Sequence, residues 1–383
     1  MGGMTINARE ETPVIAVSET RGNRSIGLDI TRIFAFLSVV AVHSFLNTEF
    51  YSNIVSGEKM YVMVIFRTAF MVCVPLFLLL TGYLISTKDV ALNSSVILGY
   101  YKKLLPLILK YIICMLILYT LSMTFGTEDF NFKSIVFGIT GFSKYSWYVN
   151  MYIGLFLLTP FLNLIWNSIS EKKMHIILVL VFIILTLLPS LFNVYDFSTR
   201  GAFLNPQLNK ENTALIPDWW VGIYPITYYY IGAYLKKYID FKKINPIKIA
   251  PIFLFSVLLT GAYNIWRSHS VAFVWGTWNE WGGVENTVNS VLIFVLINSL
   301  FKSEVNKSFS HFLAYLSSLT FSAYLLSWLS DKIVYSHFNS MIPIITDRFK
   351  YYPLAVICSA GMALILSVPI DFAVGFIMKR FKR

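Results

Sequence analysis

Residues 27–44 read Gly27-Leu28-Asp29-Ile30-Thr31-Arg32-Ile33-Phe34-Ala35-Phe36-Leu37-Ser38-Val39-Val40-Ala41-Val42-His43-Ser44, and this stretch decides the fold. A helix crosses the bilayer core with about 20 mostly apolar residues. Continued to residue 47, the stretch has that length. It also carries an aspartate, an arginine and a histidine. A charge at mid-membrane costs roughly 2.5–3.5 kcal/mol on insertion scales, so such residues face a bundle interior or a wet site. Asp29 and Arg32 are three residues apart and share a helix face. Arg32 and His43 are eleven residues apart, which is about three turns. They therefore lie on one face, roughly 16 Å apart along the axis.

The rest of the chain agrees with a membrane reading. Of its 383 residues, 56% are apolar or aromatic and 13% are charged. Soluble domains carry roughly 25% charged residues. A soluble core of this size could not hide so much apolar surface. Apolar runs recur at about 27–47, 61–86, 104–124, 147–166, 175–192, 219–235, 249–266, 284–301, 312–334 and 353–377. The expected fold is all-α, a polytopic membrane helical bundle of about ten transmembrane helices. Lysine and arginine in the connections orient it. With residue 1 inside, the inner segments hold nineteen of these residues and the outer segments nine. Both termini are therefore expected in the cytoplasm. Residues 1–26 read as a disordered cytoplasmic tail, 27–378 as the membrane domain, and 379–383 as a basic cytoplasmic C-terminus.

The net charge of +11 does not point to nucleic acid, because the basic residues cluster between apolar runs and form no stripe. Cys73, Cys114 and Cys358 each fall in an apolar run with no metal-ligand spacing, and read as small buried hydrophobes. No metal and no permanently bound cofactor are expected.

Further polar residues sit at membrane depth. Arg67 lies in the second run, facing either the same interior as Arg32 or a neighbouring helix by a structural hydrogen bond. In that run Pro75 frees a backbone carbonyl and Gly82 permits close packing. Lys102 and Lys103 precede Pro106 at the expected cytoplasmic boundary. They read as orientation determinants or as a site for an anionic ligand. Trp147, Tyr148, Asn150 and Tyr152 open the fourth run, and Tyr324 with Ser327 lies in the ninth. Polar groups on these helices suit a cavity wall. Trp275, Trp278 and Trp281 fall in a long outer connection, as interface anchors or as contacts to a sugar.

The pattern resembles the bacterial acyltransferase-3 family. Leu28-Asp29 through Arg32 to His43 is similar to its signature, a basic residue and a histidine separated by ten others. Val74-Pro75-Leu76-Phe77 to Thr81-Gly82-Tyr83 resembles its second-helix motif. Trp147-Tyr148 through Tyr152 to Thr159-Pro160, Tyr230 to Leu235, and Ser318 to Tyr324-Leu325 also look like it. The resemblance covers about 28–330. Two positions depart from it. An arginine pair often found before the third span is replaced by Tyr100 and Lys103, with Lys102 adjacent, so bidentate arginine recognition is lost. Ser327 stands where many relatives have histidine.

The resemblance implies a membrane O-acyltransferase over 27–378, similar to the single-domain enzymes that acetylate O-antigen or enterobacterial common antigen sugars. It implies acetyl-CoA as donor substrate and a glycan or polyprenyl-linked glycan as acceptor, in the bacterial inner membrane among lipids. His43 is then the base, with Arg32 and Arg67 supplying positive charge. Lys102, Lys103 and Arg32 hold the donor. Asp29, Trp147, Tyr148, Asn150, Tyr152 and Tyr324 line the acceptor side. A transporter or flippase of lipid-linked glycans is the rival reading. It gives no special reason for a histidine on the Arg32 face.

Overall fold

A computed structural model describes residues 25–88, 93–124, 146–209, 211–302 and 306–380. Residues 1–24 of the tail expected over 1–26, the connection over 125–145 and the last three residues lie outside the described residues, and the first helix already starts at Ile26. The principal helices are α1 (Ile26–Asn47), α2 (Glu58–Phe70), α3 (Cys73–Ile85), α4 (Ser94–Tyr101), α5 (Leu105–Thr124) and α6 (Trp147–Ser168). They are followed by α7 (Lys172–Thr186), α8 (Tyr224–Tyr238), α9 (Pro246–Ser268), α10 (Val284–Leu300), α11 (Lys307–Met341) and α12 (Tyr352–Arg380). Among the described residues the only extended pairing is a pair of isolated bridges, Ile54 with Ala272 and Val55 with His269. They tie the connection after α1 to the one after α9.

Helices occupy all ten expected positions. Among the described residues seven runs are long and apolar enough to cross a bilayer: Ile26–Asn47, Glu58–Ile85, Ser94–Ser122, Trp147–Ser168, Pro246–Ser268, Lys307–Met341 and Ile345–Arg380. Helices α7, α8 and α10 are shorter, at 15, 15 and 17 residues. The second run is not one smooth helix. It turns at Met71–Val72, because Pro75 has no N–H for the Met71 carbonyl four residues back. The Cys73 thiol donates to that carbonyl at 3.9 Å. The third run starts ten residues earlier than expected and passes through a 3₁₀ turn at Lys102–Leu104, just ahead of Pro106.

Helix α1 is the central element and packs against α3, α10, α11 and α12. It runs parallel to α11, so contacts advance along both together: Arg32 meets Ser317, His43 meets Asp331, and the Asn47 carbonyl meets Asn339. Helices α3 and α8 pack backbone to backbone. A Cβ on Gly82 would overlap the Tyr229 carbonyl, and one on Gly232 the Leu79 carbonyl. Helix α9 packs on α2 and α10 but presents Leu254, Phe255 and Leu259 outward. Helix α12 likewise presents Ile357, Ile365 and Phe372. These outward faces suit lipid, whereas in water they would form an aggregating patch.

Candidate active site

Helix α1 begins where Gly27 lies against Asn298 of α10, and its first turn holds buried Asp29. One turn on, Arg32 Nη1 lies 3.7 Å from Asp29 Oδ1 and donates to Ser317 Oγ at 2.8 Å. The Arg32 side chain keeps 27% of its surface open, whereas Asp29 keeps 5%.

At the other end of the same face, His43 Nδ1 stands 3.5 Å from Asp331 Oδ2. The imidazole is 17% exposed, whereas Asp331 is 2% exposed. Ser359 of α12 donates to Asp331 Oδ1 at 2.5 Å, and Ser330 shares a 3.0 Å contact with the Ser359 hydroxyl. A buried carboxylate is costly without partners. Here one hydroxyl, that of Ser359, donates to Oδ1, and the imidazole stands beside Oδ2 at ion-pair distance. Asp331 was the acid that sequence reasoning left out of the site. Its signal was present, an aspartate inside the ninth apolar run, but no spacing within one helix relates it to His43.

Between these ends the expected cavity residues come together. Tyr148 packs on Tyr152 with ring centroids 6.2 Å apart and meets Tyr324 edge-on at 6.1 Å. Trp147 packs on Trp281 at 4.5 Å. Arg32 is within electrostatic reach of both Tyr148 and Tyr152. The cluster thus links the Arg32 end to the Trp281 end. Asn150 is half-buried, and among the described residues its side chain makes no hydrogen bond to this group.

Arg67 sits elsewhere, fully buried at the His43 end. Its guanidinium lies 4.5 Å from the Phe273 ring and 4.3 Å from the Trp275 ring. It donates to Tyr51 and to the Asn279 carbonyl, each at 3.3 Å. Burial pushes the Tyr51 phenol above its ordinary value, against the pull of Arg67, so Tyr51 remains a neutral partner. Arg67 thereby fastens the segment after α9 onto α2. Asn264 completes that fastening: its amide donates to both Glu285 oxygens, and its carbonyl accepts from Trp278 and Asn279. No described contact joins Arg67 to His43.

Lys102 and Lys103 are exposed in the 3₁₀ turn. Tyr100 and Leu104 beside them pack on Ile85 at the end of α3, which places the pair at the Arg32 end of the bundle. Lys103 lies 5.1 Å over the Tyr100 ring, and no described contact joins either lysine to Arg32.

The arrangement has the parts of an acyl-transfer site: an oriented imidazole at one end, cationic groups at the other and an aromatic cluster between. No curated protein and no solved structure matches the chain. A family model described as an acyltransferase domain matches residues 25–372, and the chain belongs to that family, as a membrane acyltransferase.

Proposed function

We propose that this protein transfers acetyl from cytoplasmic acetyl-CoA to a hydroxyl of a cell-surface glycan or its polyprenyl-linked precursor, in the bacterial inner membrane. The observation that carries this reading is His43 held by Asp331, with the Asp331 carboxylate fixed by Ser359. A carboxylate beside Nδ1 favours the tautomer with its proton there, which leaves the Nε2 lone pair to act as base. Nε2 takes the proton of the sugar hydroxyl as that oxygen attacks the thioester carbonyl. The C–S bond then breaks, the ester remains on the sugar, and the CoA thiolate takes up the proton.

Donor binding belongs to the other end. Lys102, Lys103 and Arg32 offer positive charge to the donor phosphates, and charge-assisted hydrogen bonds are the strong kind. With cytoplasmic termini this end faces the cytosol. The thioester arm then runs along Tyr152, Tyr148 and Tyr324 toward His43. Arg67, engaged by Tyr51, Asn279 and two rings, acts on this reading as a positioning residue for the 267–283 segment rather than as a direct oxyanion donor. Family membership favours acyl transfer over the flippase reading.

The test is His43→Ala in purified protein. General acid–base assistance is typically worth roughly 10²–10⁴-fold, and glycan acetylation should fall by that order with protein level unchanged. Acetylation persisting at the full rate would remove His43 from the mechanism.

A further inference from the structure

A second cavity, of about 290 Å³, opens at the His43 end. It is lined by Ser190, Asp218, Tyr224, Thr277 and Glu280, with Gly222 and Gly282 at its edges. Ligand pockets run from roughly 300 Å³ upward, so this one suits a single sugar-sized group. We infer that it is the acceptor subsite and that it selects an uncharged sugar ring. This inference rests on the acyl-transfer reading above.

Two features carry it. The first is chemistry. Two exposed residues, Asp218 and Glu280, line one cavity, and among the described residues neither side-chain carboxylate has an ion-pair or hydrogen-bond partner. Among the described residues no lysine, arginine or histidine lines it. Ionised carboxylates accept strong hydrogen bonds from hydroxyl groups and repel an anionic ring. The Tyr224 and Thr277 hydroxyls add two groups that donate as well as accept. Asn193 also lines the cavity, but its side chain is engaged in scaffolding: it donates to the Ile216 carbonyl at 2.7 Å and accepts from the Leu215 and Ile216 amides. It therefore fixes the rim that carries Asp218.

The second feature is continuity with the site. Glu280 lines the cavity, and the next residue, Trp281, packs on Trp147 of the aromatic cluster. Tyr224 lines the cavity and lies within electrostatic reach of Tyr148 and Cys73. Gly282 backs onto the Tyr224 ring, where an added Cβ would sit 3.2 Å away. Adjacent residues, Glu280 and Trp281, thus belong to the cavity and to the cluster. Trp219 and Trp220 stand 88% and 53% exposed beside Asp218. A membrane-interface ring accounts for exposed tryptophans equally well, so they carry no part of the assignment.

The experiment is saturation-transfer NMR on the purified full-length protein in detergent, with methyl glucoside and with glucuronate as probes. Methyl glucoside should receive saturation and glucuronate should not. In the Asp218→Asn/Glu280→Gln double variant the methyl glucoside signal should fall roughly tenfold, the scale of one hydrogen bond to a charged group. The thermal unfolding midpoint of the same variant in detergent should match that of the unaltered protein, which reports an intact fold. Equal binding of glucuronate, no transfer to either sugar, or a full signal in the double variant would overturn the inference. Failure of the unaltered protein to release CoA from acetyl-CoA would instead sink the acyl-transfer reading, on a separate readout.

Discussion

His43 and Asp331 come from helices nearly three hundred residues apart in sequence, yet their roles depend on each other. The imidazole alone would rotate about its side-chain bonds. Asp331, itself fixed by Ser359, removes that freedom. Asp331→Asn keeps the volume and removes the charge. Its expected effect is a fall in kcat of about 10²-fold, the lower end of general acid–base assistance, with KM for acetyl-CoA unchanged. Steady-state kinetics at varied acetyl-CoA check this, and an unchanged kcat would reduce Asp331 to a packing residue. Arg32 and His43 were legible as a pair because one helix holds both. Asp331 was visible only as an acid in an apolar run.

At the scale of elements, two contacts decide whether the site is held at all. One is the close approach of α3 and α8. Gly82 and Gly232 each face a carbonyl of the other helix, so a methyl group at either position has nowhere to go. Small residues let membrane helices approach in this way, and their packing is the main attraction between helices when lipid is as apolar as the side chains. Gly82→Ala should destabilise the protein by about 1–3 kcal/mol, the usual cost of overpacking. Thermal unfolding in detergent measures it, and an unshifted midpoint would show that the helices separate freely. The other contact is the ion pair of Lys110 on α5 with Asp371 on α12, at 2.6 Å. Ser322 of α11 donates to the same carboxylate at 2.6 Å. It joins three helices at the flank of the aromatic cluster. Neither contact could be paired from sequence. Gly82 read as a packing residue with no partner assigned, because partners on other helices have no fixed spacing.

Across the whole molecule the question is how the two ends are supplied. Lys102 and Lys103 gather with Arg32 at one end, and the acidic cavity lies at the other. This polarity fits an anionic donor and an uncharged acceptor arriving from opposite sides. Lys102→Gln with Lys103→Gln should raise KM for acetyl-CoA about tenfold or more, as expected for lost charge-assisted hydrogen bonds, and leave kcat nearly unchanged. Unaltered KM would leave the lysines as orientation determinants only. The sequence by itself determined the membrane bundle, the positions of its principal helices, and the Arg32–His43 face. Hydropathy and the 3.6-residue period act locally, so they can be read along a single chain. Only the tertiary structure decided that α1 lies parallel to α11, that Asp331 stands beside His43, and that Arg67 fastens the segment after α9 onto α2. It alone showed the carboxylate-lined cavity beside Trp281. Those facts depend on which helix faces meet, and in lipid that choice is made by shape and buried polar pairing, which no local pattern encodes.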